Sequence, residues 1–225
     1  DQDASPSVGP DLLRSDDTGV TWTRIGAARS GVAEIAASAD LLVLAGEDIL
    51  TSVDGTRFSV ARETDQSEGL AVSADGRRVY VEALDYLLRE PDGDPFEITI
   101  SVSADAGRTW GSGATPALLP VLEFDPALAV DPGEPRTLLV GGSTVVERST
   151  DGGGTLAPFG PARASDYTPH RLGLGILADR TVVAADGAGL LVGPLDGALQ
   201  RSRIAGDEPG DVAAAGDVAL VALAN

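Results

Sequence analysis

The chain has 225 residues, no Cys, no Met, 28 Gly, 14 Pro, 4% aromatic residues and a formal net charge of −19. That charge excludes nucleic acid and anionic membrane surfaces as partners, because both repel it, and the lack of Cys excludes disulfides and thiolate metal sites. No apolar run reaches the roughly 20 residues of a membrane-spanning helix, so no direct membrane insertion is expected. The Gly- and Pro-rich, aromatic-poor composition suits short Val, Leu, Ile and Ala strands joined by tight turns.

Residues 1–10, Asp1-Gln2-Asp3-Ala4-Ser5-Pro6-Ser7-Val8-Gly9-Pro10, read as a polar, flexible leader, and residues 11–225 as a single domain. A start at Asp1 without any Met suggests a processed mature chain. From Leu12 to Ile25 the pattern is a hairpin whose turn reads Ser15-Asp16-Asp17-Thr18-Gly19-Val20-Thr21-Trp22. A second hairpin follows, Ile35–Asp40 before Leu41–Leu44, and then a shortened turn, Ser52-Val53-Asp54-Gly55-Thr56-Arg57-Phe58. Leu70–Gly76 before Val79–Val81 leads to a complete second copy of the first turn, Ser103-Ala104-Asp105-Ala106-Gly107-Arg108-Thr109-Trp110. Leu128–Gly133 before Leu138–Val140 leads to Ser149-Thr150-Asp151-Gly152-Gly153-Gly154-Thr155-Leu156, with Leu in the place of Trp. Leu174–Asp179 before Val182-Val183 leads to an eroded turn, Gly193-Pro194-Leu195-Asp196-Gly197, and Val212–Asp217 before Val218–Val221 closes the series.

Each unit thus pairs an inner apolar hairpin with an outer hairpin whose turn carries S-x-D-x-G-x-T-W. The turns start 37, 51, 46 and 44 residues apart, the period of four-stranded propeller blades. The chain opens with an outer hairpin and ends with an inner one, and the interval across the termini is 47 residues. The expected fold is therefore all-β, a five-bladed β-propeller of four-stranded antiparallel blades. The expected blades are 31–62, 67–115, 126–160, 171–205, and 210–225 completed by 11–25. Pairing of the N- and C-terminal strands would close the ring and remove its open edges; six blades is the alternative.

The turn explains itself without a ligand. A Ser hydroxyl and an Asp carboxylate satisfy backbone N–H groups, and Gly allows positive φ. Thr bonds locally, and Trp covers the gap to the next sheet with about 200 Å² of mostly apolar surface. Ser15, Asp17, Gly19, Thr21 and Trp22 are accordingly read as structural. So are Ser103, Asp105, Gly107, Thr109 and Trp110, and Ser149, Asp151, Gly153 and Thr155.

The two complete turns resemble the Asp-box (BNR) repeats of sialidases, sortilin-type receptors, propeller-type photosystem assembly factors and some glycanases. The resemblance runs from about Leu12 to Asn225. It implies a propeller whose Asp turns lie on the face opposite the ligand-binding one, and, with the processed start, an extracytoplasmic location. It implies no particular activity, since the repeat is structural. The sialidase pattern of three Arg, a Tyr nucleophile assisted by Glu, and Arg-Ile-Pro ahead of the first turn is not matched. Arg24-Ile25-Gly26 follows the turn and lacks Pro.

The functional face should carry the long loops Leu84–Phe96, Gly113–Asp125 and Gly160–Arg171. In the last, Arg163, Asp166, Tyr167, His170 and Arg171 gather the only His with two Arg and a Tyr. Arg171 and His170 would engage a carboxylate while Tyr167 stacks on a sugar or peptide; the alternative is a solvated loop with Arg171 paired to a nearby acid. The run Ala117–Phe124, ending on Glu123 and Phe124, either docks a partner or packs across the channel. Glu123 and Asp125 with Asp85 or Asp65 would be a glycosidase pair. Among 35 acidic residues such pairs arise by chance, and no catalytic residue is assigned. Glu90-Pro91-Asp92-Gly93-Asp94-Pro95 lacks the full calcium-loop ligand set and reads as a turn. No metal or cofactor is assigned. The expected function is a non-catalytic binding or scaffold propeller for a protein partner or glycan, in one version an accessory subunit of a larger complex. The alternative is a glycan-active hydrolase or lyase.

Overall fold

The computed structural model describes residues 11–27, 31–64, 66–85, 97–115, 127–141, 145–161, 173–185, 189–202 and 208–224. All regular structure among them is strand. The first four-stranded sheet is β3 (Val32–Ala37), β4 (Leu42–Gly46), β5 (Asp48–Ser52) and β6 (Ser59–Glu63). The second is β7 (Gln66–Val72), β8 (Val79–Asp85), β9 (Glu97–Ser103) and β10 (Gly111–Ser112). The third is β11 (Ala127–Val130), β12 (Leu138–Gly141), β13 (Val146–Ser149) and β14 (Ala157–Pro158). The fourth is β15 (Leu174–Ile176), β16 (Thr181–Ala185), β17 (Leu190–Pro194) and β18 (Gln200–Ser202). Two hairpins flank them, β1 (Asp11–Arg14) with β2 (Thr23–Ala27), and β19 (Glu208–Ala215) with β20 (Val218–Ala224).

Within every sheet the strands follow chain order and pair antiparallel. In the first, third and fourth sheets the second strand is buried without alternation because neighbours pack on both of its faces: all of Leu138–Gly141 is buried. Val43, Ala45 and Ile49 meet Leu70 and Val79 between the first two sheets. Tyr80 and Ile100 meet Leu128 and Leu138 at the next junction, and Leu139 and Val146 meet Ile176 and Val182 at the third. Innermost strands touch in succession, β3 on β7, β7 on β11, β11 on β15 and β15 on β19. The approach is tight there: a Cβ on Gly175 would lie 2.6 Å from the Ala214 Cβ, so only Gly fits.

One expectation needs correction. The strands expected to close a fifth blade form two separate two-stranded sheets. Each hairpin instead packs by its face on its own neighbour. Leu12 packs on Leu44 and Leu50 of the first sheet, and Val212 packs on Val183 and Ala185 of the fourth.

The antiparallel order puts the β3–β4, β7–β8, β11–β12, β15–β16 and β19–β20 connections at the same end as the Asp turns. All of these are short. The long connections, 86–96, 113–126 and 159–173, leave from the opposite end.

Candidate functional site

At the Asp-turn end the chemistry is consumed locally. Ser103 Oγ donates to Asp105 Oδ1 at 2.8 Å and accepts the Gly107 N–H at 2.8 Å. Asp105 Oδ1 accepts the Thr109 N–H at 2.8 Å, Oδ2 accepts the Thr109 hydroxyl at 2.6 Å, and Trp110 Nε1–H donates to the Gly107 carbonyl at 3.0 Å. Gly107 has φ +83°, which is why the turn needs Gly. The turn at Ser15 repeats these bonds through Asp17, Gly19, Thr21 and Trp22. The turn at Ser149 repeats them through Asp151, Gly153 and Thr155.

Hydrogen bonds hold these carboxyls in their charged form. The Thr21 and Thr109 hydroxyls, followed by the same residues' N–H groups, lower Asp17 and Asp105 to about 2. The Thr155 N–H and the Ser149 hydroxyl lower Asp151 to about 2. Asp54 is also held well below the carboxylate range, first by the Arg57 N–H and then by the Thr56 N–H. A depressed folded pKa contributes stability that is present above the ordinary value of 3.8 and is lost as pH falls through the folded value. The melting midpoint should therefore drop as pH is lowered from about 4 to about 2, and drop less in an Asp105→Asn/Asp151→Asn variant. A midpoint flat across that window, followed by calorimetry, would contradict this role.

The turns also fasten each sheet to the one before it. A Cβ on Gly107 would meet Thr51 Cγ2 at 2.9 Å. Trp110 packs into the first junction, with the Arg62 guanidinium 6.0 Å from its ring centroid. In the third sheet the Gly153 carbonyl accepts the Ala114 N–H at 2.7 Å, and Leu156 packs where Trp would. The eroded turn keeps Leu195 and Leu199 buried, and Arg148 donates to the Leu195 carbonyl at 2.6 Å. Two side chains interlock neighbours at the same end. Tyr80 donates its hydroxyl to the Pro135 carbonyl at 2.7 Å, and Arg180 pairs with the fully buried Asp131 at 3.0 Å. A cavity of about 460 Å³ lies here among Asp40, Asp75, Arg77, Asp105 and Arg108. Its Asp75 carboxylate is held by the Ser73 hydroxyl and Arg77 N–H, and its Asp105 by Thr109.

The sequence-derived binding residues Glu123, Phe124, Arg163, Asp166, Tyr167, His170 and Arg171 lie outside the described residues, as do Asp65, Asp125 and the turn 90–95. Asp85 ends β8 at the loop end. Within the strands the structure adds three carboxylates that sequence reading missed. Glu34 Oε2 accepts the Leu70 N–H at 2.8 Å, tying β3 to β7. Glu82 and Glu147 are buried and engaged in further interactions. Glu82 alternates with Tyr80 along β8, and Glu147 lies across from Val140. Both therefore face the junction of the second and third sheets. Their one sequence signal was a charge inside an apolar strand run, as in Val79-Tyr80-Val81-Glu82-Ala83-Leu84. Among the described residues no group of three or more His, Asp or Glu is placed to hold a metal ion.

Neither a protein-family model nor a curated protein sequence matches the chain. Solved structures do. A gluconolactonase from Xanthomonas campestris aligns over 91% of this chain and 72% of its own, with TM-score 0.60 and 19% identity. An ancestral GH74 enzyme aligns over 84% of this chain and 27% of its own, with TM-score 0.56 and 14% identity. A functionally unknown protein from Desulfotomaculum acetoxidans aligns over 81% of this chain and 59% of its own, with TM-score 0.53 and 13% identity. The chain thus spans less than two thirds of the latter two. At these identities the likeness establishes the fold: an all-β chain of the β-propeller type.

Proposed function

We propose that this is a non-catalytic binding propeller of the Asp-box type, working outside the cytoplasm and engaging a protein partner through its loop end. One observation carries the reading: the three longest connections, 86–96, 113–126 and 159–173, leave the strands at one end, opposite the Asp turns. Long loops on a rigid β scaffold are where recognition residues concentrate. Tyr167, His170 and Arg171 of the last connection, and Glu123 and Phe124 of the middle one, supply stacking, carboxylate-binding and apolar contacts there. The net charge of −19 suits a basic or neutral partner. Purification from the native source with chemical cross-linking tests the reading. A stoichiometric partner cross-linked to the three connections is expected. A partner held only at the Asp-turn end, or a chain that purifies alone, would sink it.

A second reading, a glycan-active hydrolase, draws on Glu82 and Glu147 facing one junction between the second and third sheets. Turnover of a sugar or lactone panel that is lost in both Glu82→Gln and Glu147→Gln would favour it. An inactive wild-type chain would dismiss it.

A further inference from the structure

We propose that the cavity at the turn end between the first and second sheets is a binding site for a small zwitterion, an amino acid with an apolar side chain. This inference goes beyond the loop-end partner and stands independently of it. The cavity, of about 460 Å³, falls in the size range of small-molecule sites. Four turns wall it: Asp40 comes from the β3–β4 turn, Val53 from the Asp turn of the first sheet, Arg77 from the β7–β8 turn, and Arg108 from the Asp turn of the second sheet.

The charges divide into committed and available groups. Both Asp105 oxygens are taken by Thr109, and Asp75 Oδ1 accepts the Ser73 hydroxyl at 2.6 Å and the Arg77 N–H at 3.0 Å. Among the described residues no hydrogen bond or ion pair engages the Arg77 and Arg108 guanidinium groups or the Asp40 carboxylate. That sets this junction apart. At the same end Arg136 donates to the Asp151 carbonyl at 3.1 Å, Arg148 to the Leu195 carbonyl at 2.6 Å, and Arg180 to Asp131 at 3.0 Å. Available guanidinium groups receive a carboxylate through paired N–H···O bonds, and an available carboxylate receives an ammonium. A plain anion would meet the repulsion of the cavity's own carboxylates and of a chain with net charge −19, whereas a zwitterion brings no net charge.

Val53 specifies the rest of the ligand. It lines the cavity and is 79% exposed, at a position where the other turns carry Asp16, Ala104 and Thr150. An apolar ligand side chain resting on it would remove that surface from water. The walls are also braced before any ligand arrives. The Ala106 N–H donates to the Arg77 carbonyl at 2.8 Å, which ties together the two turns that bear the arginines. Across the cavity, Ser38 Oγ accepts the Leu41 N–H at 3.1 Å beside Asp40, and a Cβ on Gly76 would lie 2.7 Å from that oxygen. The first and second sheets therefore meet closely at the cavity, and a preorganised site of this kind orders little on binding.

Isothermal titration calorimetry on the full chain tests the site, with L-leucine, N-acetyl-L-leucine, which lacks the ammonium, and L-leucinamide, which lacks the carboxylate. Leucine should bind saturably, and each analogue roughly 10- to 100-fold more weakly. Arg77→Gln/Arg108→Gln should weaken leucine by a similar factor. Should that variant fail to fold, Asp40→Asn decides: it must weaken leucine while leaving N-acetyl-leucine unchanged. No saturation by leucine below about 10 mM, N-acetyl-leucine bound as tightly as leucine, or variants that bind as the wild type does would each overturn the proposal. A chain without a loop-end partner would leave these titrations as they are, so the two readings fail separately.

Discussion

Tyr80→Ala should cost about 3–5 kcal/mol of folding stability, the range for emptying a buried aromatic site. The ring is fully buried at the junction of the second and third sheets, against Ile100, Leu128 and Leu138. Burial pushes its phenol pKa up, so the hydroxyl stays a neutral donor to the Pro135 carbonyl. Tyr80→Phe keeps the ring and loses that bond, at about 1 kcal/mol. Urea titrations of both variants separate the contributions. Equal losses would show that the hydrogen bond, and not ring packing, holds the two sheets together.

Gly153→Val should be comparably damaging, at about 3 kcal/mol, because two costs add. Gly153 has φ +89°, which costs an L-residue roughly 1–2 kcal/mol. A Cβ there would also sit 3.1 Å from Val102 Cγ2 and 3.6 Å from the Tyr80 ring, so the branched side chain overpacks the junction by about 1–3 kcal/mol. Thermal melts would check it. A loss no greater than that of Gly153→Ala would mean that the third sheet recedes from the second without penalty.

The sheets were legible because hydrophobic runs, Asp/Gly turns and a repeating period are local properties of the chain. Val79–Val81 and Leu138–Val140 announce buried strands by composition alone, and the S-x-D-x-G-x-T-W turns carry their own hydrogen-bond partners within a few residues. What remained illegible is set by neighbours distant in sequence. Trp22 and Trp110 sit in the same motif, yet Trp110 is covered by the first sheet and Trp22 is not. Glu82 and Glu147 come from different sheets and meet one junction only because strand alternation turns both toward it. Closure of the fifth unit was expected from period and chain order, which say nothing about whether face packing holds each hairpin apart from the other. The loop residues were proposed from residue type, a signal that identifies chemistry without fixing its geometry.

Short Asp turns lie at one end of the strands and the long connections at the other, and a paired comparison tests the proposed division into a fastening end and a binding end. Asp105→Asn and the double variant Tyr167→Ala/Arg171→Ala would each be scored for melting midpoint and for retention of the co-purifying partner. The expected result is a crossed pattern: Asp105→Asn melts several degrees lower yet keeps the partner, and the loop variant melts as the wild type does yet loses it. Loss of the partner in Asp105→Asn, with retention in the loop variant, would contradict the division.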